Sequence, residues 1–312
     1  MFLPFKGARS ATKDPASDNG QKDSSATPRN DGKEIMTGFI NIYKEKGVGS
    51  TFVVNRIKRL TKTSAGHMGT LDPLASGVLP VAIGNAARLF DYFLRKEKTY
   101  LARFRFGITT DTLDEEGEKI SGGRVPGEAE INAALPAFFG EIEQVPPKYS
   151  AVSVGGRRGY ELARAGADFN LQAKKVRILS FECTGQTAPD EYAFEIVCGG
   201  GTYIRSLARD LAVALGTQGY MSALERTASG VFTKEGAVTL NELTPENIAE
   251  HLVPTESVLP YPVLEGADAR IFNGVAVECT LADGLYKLYR EREFYGLARV
   301  VNGYAKAEKK LC

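Results

Sequence analysis

The chain has 312 residues, a net charge of +1, 43% hydrophobic and 25% charged residues, which is ordinary for a folded protein with one large core and a smaller module. No run approaches the ~18 apolar residues of a membrane span, so no membrane association is expected. The four cysteines, Cys183, Cys198, Cys279 and Cys312, form no C-x-x-C pair and only His67 and His251 supply imidazoles, which argues against a metal site or disulfide framework and for a reducing, cytoplasmic setting.

Residues 1–35 are rich in Ser, Asp, Lys, Asn, Gly and Pro, too polar to offset the entropy of ordering, and are expected to form a disordered tail. Met36 is an alternative start. Gly38 to Tyr43 reads as a strand, followed by a turn at Gly47–Ser50 and a helix with Ser50 as N-cap, Val53, Ile57 and Leu60 inward, and Arg56, Arg59 and Lys62 outward. Strands are expected at Val78–Ile83 and Tyr100–Phe106, linked by a helix near Asn85–Leu94. Glu128–Phe139 and Arg157–Ala165 read as helices, and Val176–Thr184 with Tyr192–Cys198 as a hairpin. The strongest helical pattern is Ile204, Leu207, Ala208, Leu211, Ala212 and Leu215, closed by Gly216. From Leu259 on, short strand-like pieces broken by glycines suggest a small β-rich module. Charge is segregated, with seven Lys/Arg against two acids in 148–177 and nine acids against two bases in 111–143. Such a field steers polyanions, although solvated charged faces are the more usual source of such a distribution.

Two segments stand apart chemically. Gly66-His67-Met68-Gly69-Thr70-Leu71-Asp72-Pro73, running on through Gly77, sets a carboxylate and an imidazole on a glycine-punctuated loop. An Asp before Pro usually supports a turn, but the glycines permit close approach of a ligand, and a carboxylate without a metal is a candidate nucleophile or base. In Gly199-Gly200-Gly201-Thr202-Tyr203-Ile204-Arg205, Arg205 falls in the first turn of its helix, where the macrodipole disfavours a cation by ~0.3–1 kcal/mol. A negative partner should compensate, and Asp72 is the natural candidate. Tyr203 is suited to stacking on an unpaired base, while Tyr100 alone reads as a half-buried strand aromatic.

From about Thr37 to the C-terminus the sequence resembles the TruB family of tRNA pseudouridine synthases. The Gly66–Pro80 run is similar to the family's catalytic motif, Lys98-Thr99-Tyr100 to its second, Gly201–Leu207 to its third and Leu224-Glu225-Arg226 to its Leu-x-Arg. Gln144–Ala151 with Gly159–Arg164 fits a further signature. The resemblance implies an α+β fold, with a large mixed, mainly antiparallel sheet flanked by helices. Its domains would be a tail over 1–35, a catalytic domain over 36–258 and a PUA-like RNA-binding module over 259–312. It implies conversion of the T-loop uridine at tRNA position 55 to pseudouridine, without metal or small-molecule cofactor, by a monomeric enzyme binding the T arm. Asp72, Arg205 and Tyr100 would be catalytic, and His67, Tyr203, Leu224, Lys98, Gly66 and Gly69 would contact substrate. His67 would fill the space left by the flipped base. Because every motif lies upstream, the module after Pro262 is expected to add affinity rather than chemistry. The rivals are an inactive RNA-binding protein on the same fold and a hydrolase built on Asp72 and His67, the latter lacking a Ser or Cys nucleophile motif.

Overall fold

A computed structural model describes residues 36–94 and 96–311; the expected tail over 1–35 lies outside them. One nine-stranded sheet organises the molecule, its strands running in the order Gly38–Lys44, Ser76–Ile83, Gly219–Ser229, Lys98–Phe106, Glu191–Cys198, Lys174–Ala188, Gly140–Gln144. Ala65–His67 and Phe232–Thr233 pair on its flanks. Among the described residues every strand-to-strand pairing of this sheet is antiparallel except one, a short parallel pairing of Glu225 with Ser76 and Arg226 with Gly77. The sheet is therefore mixed and mainly antiparallel, the α+β architecture expected from the resemblance.

Alternation explains the strands. In Lys98–Phe106, Tyr100, Ala102, Phe104 and Phe106 face the core while Leu101 and Arg103 face out. Phe104, Phe181 and Phe194 pack with centroids 4.6–6.1 Å apart in tilted and edge-on arrangements, avoiding the face-to-face sandwich that aromatic quadrupoles disfavour. The Ile204–Ala214 helix lays Leu207, Ala208, Leu211 and Ala212 on this core. Ser50–Thr61 adds Val53, Val54, Ile57 and Leu60.

Local structure departs from the sequence pattern at several points. The cap of Ser50–Thr61 is Gly49, and Ser50 is the first helical residue. The expected Asn85–Leu94 helix is a 3-10 turn at Gly84–Leu89 followed by Phe90–Leu94. Glu128–Ala134 gives way to 3-10 geometry at Leu135, where Pro136 removes a donor and crowds the preceding turn. Arg157 and Arg158 belong to a small hairpin with Ser153–Val154, and the helix spans only Gly159–Arg164.

A second, four-stranded sheet runs Val277–Glu278, Tyr304–Lys310, Glu293–Val301, Gly284–Arg290. It has its own core around Ile271, Leu288 and Val300. Leu297 and Leu311, however, join Phe39, Met68, Val78 and Phe93 in a separate hydrophobic cluster. Arg88 donates to the Lys310 carbonyl at 2.8 Å and Tyr92 to the Glu308 carboxylate. The module is thus rooted in apolar packing beside the large sheet.

Candidate active site

The stretch between Ala65–His67 and Ser76–Ile83 is irregular, yet its backbone is tied almost group by group. Ser50 Oγ donates to the Leu71 carbonyl (2.7 Å) and accepts from the Leu71 N–H (2.9 Å). The Lys44 ammonium, on a side chain 1% exposed, donates to the carbonyls of Val48 (2.7 Å), Pro73 (3.4 Å) and Ala75. Arg226, equally buried, donates to Val78 (2.7 Å), Gly69 (3.0 Å) and Thr70 (3.5 Å). A turn closed by the Ala75 N–H on the Asp72 carbonyl (3.1 Å) then presents Asp72. Gly77, at φ +109°, is required because a Cβ there would lie 2.2 Å from the Arg226 carbonyl. That glycine accommodates a neighbouring strand. Gly69 is at φ +139°, whereas a Cβ at Gly66 would meet open space.

Arg205 completes the centre. Tyr203 occupies the N-cap position, its N–H bonded to Gln144 Oε1 at 2.8 Å, and the helix has no acid in its own first turn. The compensating charge comes from elsewhere in the chain: Arg205 Nε lies 3.0 Å from Asp72 Oδ2 and Nη1 lies 3.3 Å from Asp114 Oδ2. Nη1 also donates to the Thr112 carbonyl (3.0 Å) and Nη2 to that of Tyr149 (2.9 Å). The Arg205 side chain is 7% exposed and Asp72 36%, so the guanidinium is fixed in protein while the carboxylate reaches solvent. Asp114 accepts from Thr112 Oγ1 (2.6 Å) and the Glu116 N–H (3.1 Å). Burial raises its pKa, opposed by Thr112 and Arg205.

Tyr100 is buried, directly across the ladder from Arg226. Burial raises its phenol pKa, and the Arg226 guanidinium opposes the rise. Lys98 is buried at the start of the same strand, its pKa brought down to about 8 by burial and by Arg226. His67 ends a short strand opposite Val81, with its pKa lowered by burial and then by Arg226. Leu224 is half-buried and lines a groove of about 470 Å³ with Leu74, Ser76 and Lys46. Asp72 and Arg205 are thus in direct contact, and Lys98, Tyr100 and His67 gather around Arg226. The sequence reading missed Asp114, Lys44 and the loop-holding role of Arg226. Asp114 sits in an acid-rich stretch, and the two cations resemble ordinary surface charges until their burial is seen. Among the described residues no three His, Cys, Asp or Glu side chains converge as a metal-ligand group.

Residues 57–204 match the family model described as TruB family pseudouridylate synthase (N terminal domain), and residues 205–260 match tRNA pseudouridylate synthase B C-terminal domain. A tRNA pseudouridine synthase B of Clostridium kluyveri is 38% identical over 275 residues, 84% of this chain and 95% of the relative. That of Rhodospirillum rubrum is 45% identical over 229 residues, 73% of this chain and 74% of the relative. Among solved structures, a chain of a Cbf5-Nop10-Gar1 complex superposes with a TM-score of 0.67 at 27% identity, covering 88% of this chain and 85% of the other.

Proposed function

The chain belongs to the TruB family of pseudouridylate synthases and isomerises uridine in tRNA to pseudouridine, and from that premise we propose that its target is the T-loop uridine at position 55, with Asp72 as the acting group. The reaction breaks the bond from N1 to C1′ and makes one from C5 to C1′. The C5 proton leaves and N1 regains one, so the atoms balance without a co-reactant. Asp72 promotes glycosidic cleavage, as nucleophile or as a charged group. Arg205 orients it through a charge-assisted bond.

One observation carries this reading: a solvent-reaching carboxylate held by a buried guanidinium, 3.0 Å apart. The target base leaves its stack at a cost of a few kcal/mol, smaller in a loop than in a duplex. His67 fills the vacated space, while Tyr100 and Leu224 pack against the base and Tyr100 assists proton removal. Lys98, Tyr203, Gly66 and Gly69 contact the surrounding nucleotides. Basic residues of 56–62, 148–164 and the C-terminal module grip phosphates of the T arm, so shape dominates recognition. The enzyme acts as a cytoplasmic monomer.

Tritium release from C5-labelled uridine in tRNA tests the reading, with the product mapped by position. Wild-type protein should release label and mark position 55, and Asp72→Asn should bind tRNA but release none. Turnover by Asp72→Asn free of deamidated enzyme would exclude Asp72, and modification elsewhere would exclude the T loop.

A further inference from the structure

Arg226 is 1% exposed, and no carboxylate lies within ion-pair distance of it among the described residues. A buried guanidinium is costly unless its donors are satisfied, and here the satisfaction is specific. Nε bonds to Val78 O (2.7 Å), Nη2 to Gly69 O (3.0 Å) and Nη1 to Thr70 O (3.5 Å). These carbonyls flank Asp72 on both sides in sequence. Arg226 therefore ties the entry and exit of the catalytic loop to one strand. That strand meets the loop's exit through a parallel pairing, which places Arg226 opposite Gly77. On its other side Arg226 is in register with Tyr100, and its charge opposes the rise that burial causes in that phenol's pKa.

We propose that Arg226 is a positioning residue, whose guanidinium sets the Asp72 loop and the Tyr100 hydroxyl in one fixed relation without touching the RNA. The proposal rests on the reading of Asp72 given above. A lysine cannot replace it, because one ammonium cannot present the planar fork that reaches Gly69, Thr70 and Val78 together. Lys98 and His67, the neighbouring titratable groups, receive its field as well. Asp72 acts on the Tyr100 phenol in the opposite sense to Arg226.

The test uses the full chain with Arg226→Lys, Arg226→Ala and Asp72→Asn. It measures tRNA affinity, melting temperature and single-turnover tritium release at saturating tRNA. Misplacing a reacting group by about 1 Å can cost ~100-fold in rate, so Arg226→Lys should lose about that much in kcat with tRNA affinity within about twofold of wild type. Arg226→Ala should be slower still and should regain rate in guanidinium chloride at tens of millimolar, but not in equal sodium chloride. The proposal is overturned by wild-type kcat in either variant, by a loss confined to KM, or by a rate loss that guanidinium does not relieve and that follows melting temperature alone. Failure of wild-type protein to release tritium would instead strike the reading of Asp72, leaving the two ideas separable.

Discussion

Arg205 stands between two carboxylates, and this arrangement resolves the apparent misfit of a cation at a helix start. The macrodipole cost of ~0.3–1 kcal/mol is small beside losing one partner of a buried charge pair, about 3–5 kcal/mol. Asp72→Asn should abolish single-turnover tritium release, and Arg205→Met should lower it by several orders of magnitude. Both act on one step, so the double variant should be scarcely slower than Asp72→Asn alone. Additive losses would show that the two residues serve separate steps. Asp114→Asn should also slow the reaction while leaving Asp72 in place, because Arg205 would keep only one of its two carboxylates, at 3.0 Å. Wild-type rates in Asp114→Asn would reduce Asp114 to a loop brace. Arg205 was legible in sequence because a cation at a helix start breaks a local rule, and Asp72 because of the glycines and the family motif around it. Asp114 was not, because nine acids share its stretch and nothing local separates the buried one from the solvated ones.

At the scale of elements, the least legible was Gly219–Ser229, the strand at the centre of the sheet that carries Leu224 and Arg226. Two register shifts, at Met221/Ala223 and Arg226/Ala228, break the period-two signal on which strand recognition depends. The same strand and Gly38–Lys44 supply the two buried cations that hold the Asp72 loop. Lys44 is brought down to about 8, chiefly by burial, with Asp72 opposing, and Lys98 to about 8 by burial and Arg226. Their unfolded values are near 10.5. Above pH 8 the unfolded chain therefore binds more protons at these sites than the folded one, and their contribution to stability rises with pH. Catalysis should move the other way, because a neutral Lys44 amine loses its charge-assisted hold on the Pro73 and Ala75 carbonyls. Single-turnover rates at saturating tRNA should fall from about pH 8 to 9.5 with no matching fall in the urea midpoint. A flat rate across that window would remove Lys44 from the loop's support.

At the scale of the whole molecule, the C-terminal sheet reads in sequence as an appendage for affinity, since glycines break it into short strands and no motif lies within it. Packing assigns it a second part. Leu297 and Leu311, 0% and 2% exposed, share a hydrophobic cluster with Met68, Val78 and Phe39. Met68 lies inside the Asp72 loop, its N–H bonded to the Pro80 carbonyl at 2.8 Å, so the module helps bury the back of that loop. A chain ending at Pro262 should therefore lose melting temperature and bound-state rate together, in addition to tRNA affinity. Leu311→Ala separates these effects, because it leaves the module's surface intact while deleting buried methyl groups at a cost of about 2–5 kcal/mol. If the module only adds affinity, Leu311→Ala should keep the wild-type single-turnover rate at saturating tRNA at any temperature where it remains folded. If its packing also steadies the Asp72 loop, the rate should fall well below the melting transition while tRNA affinity stays within about twofold of wild type. The position of Met68 in that cluster favours the second outcome.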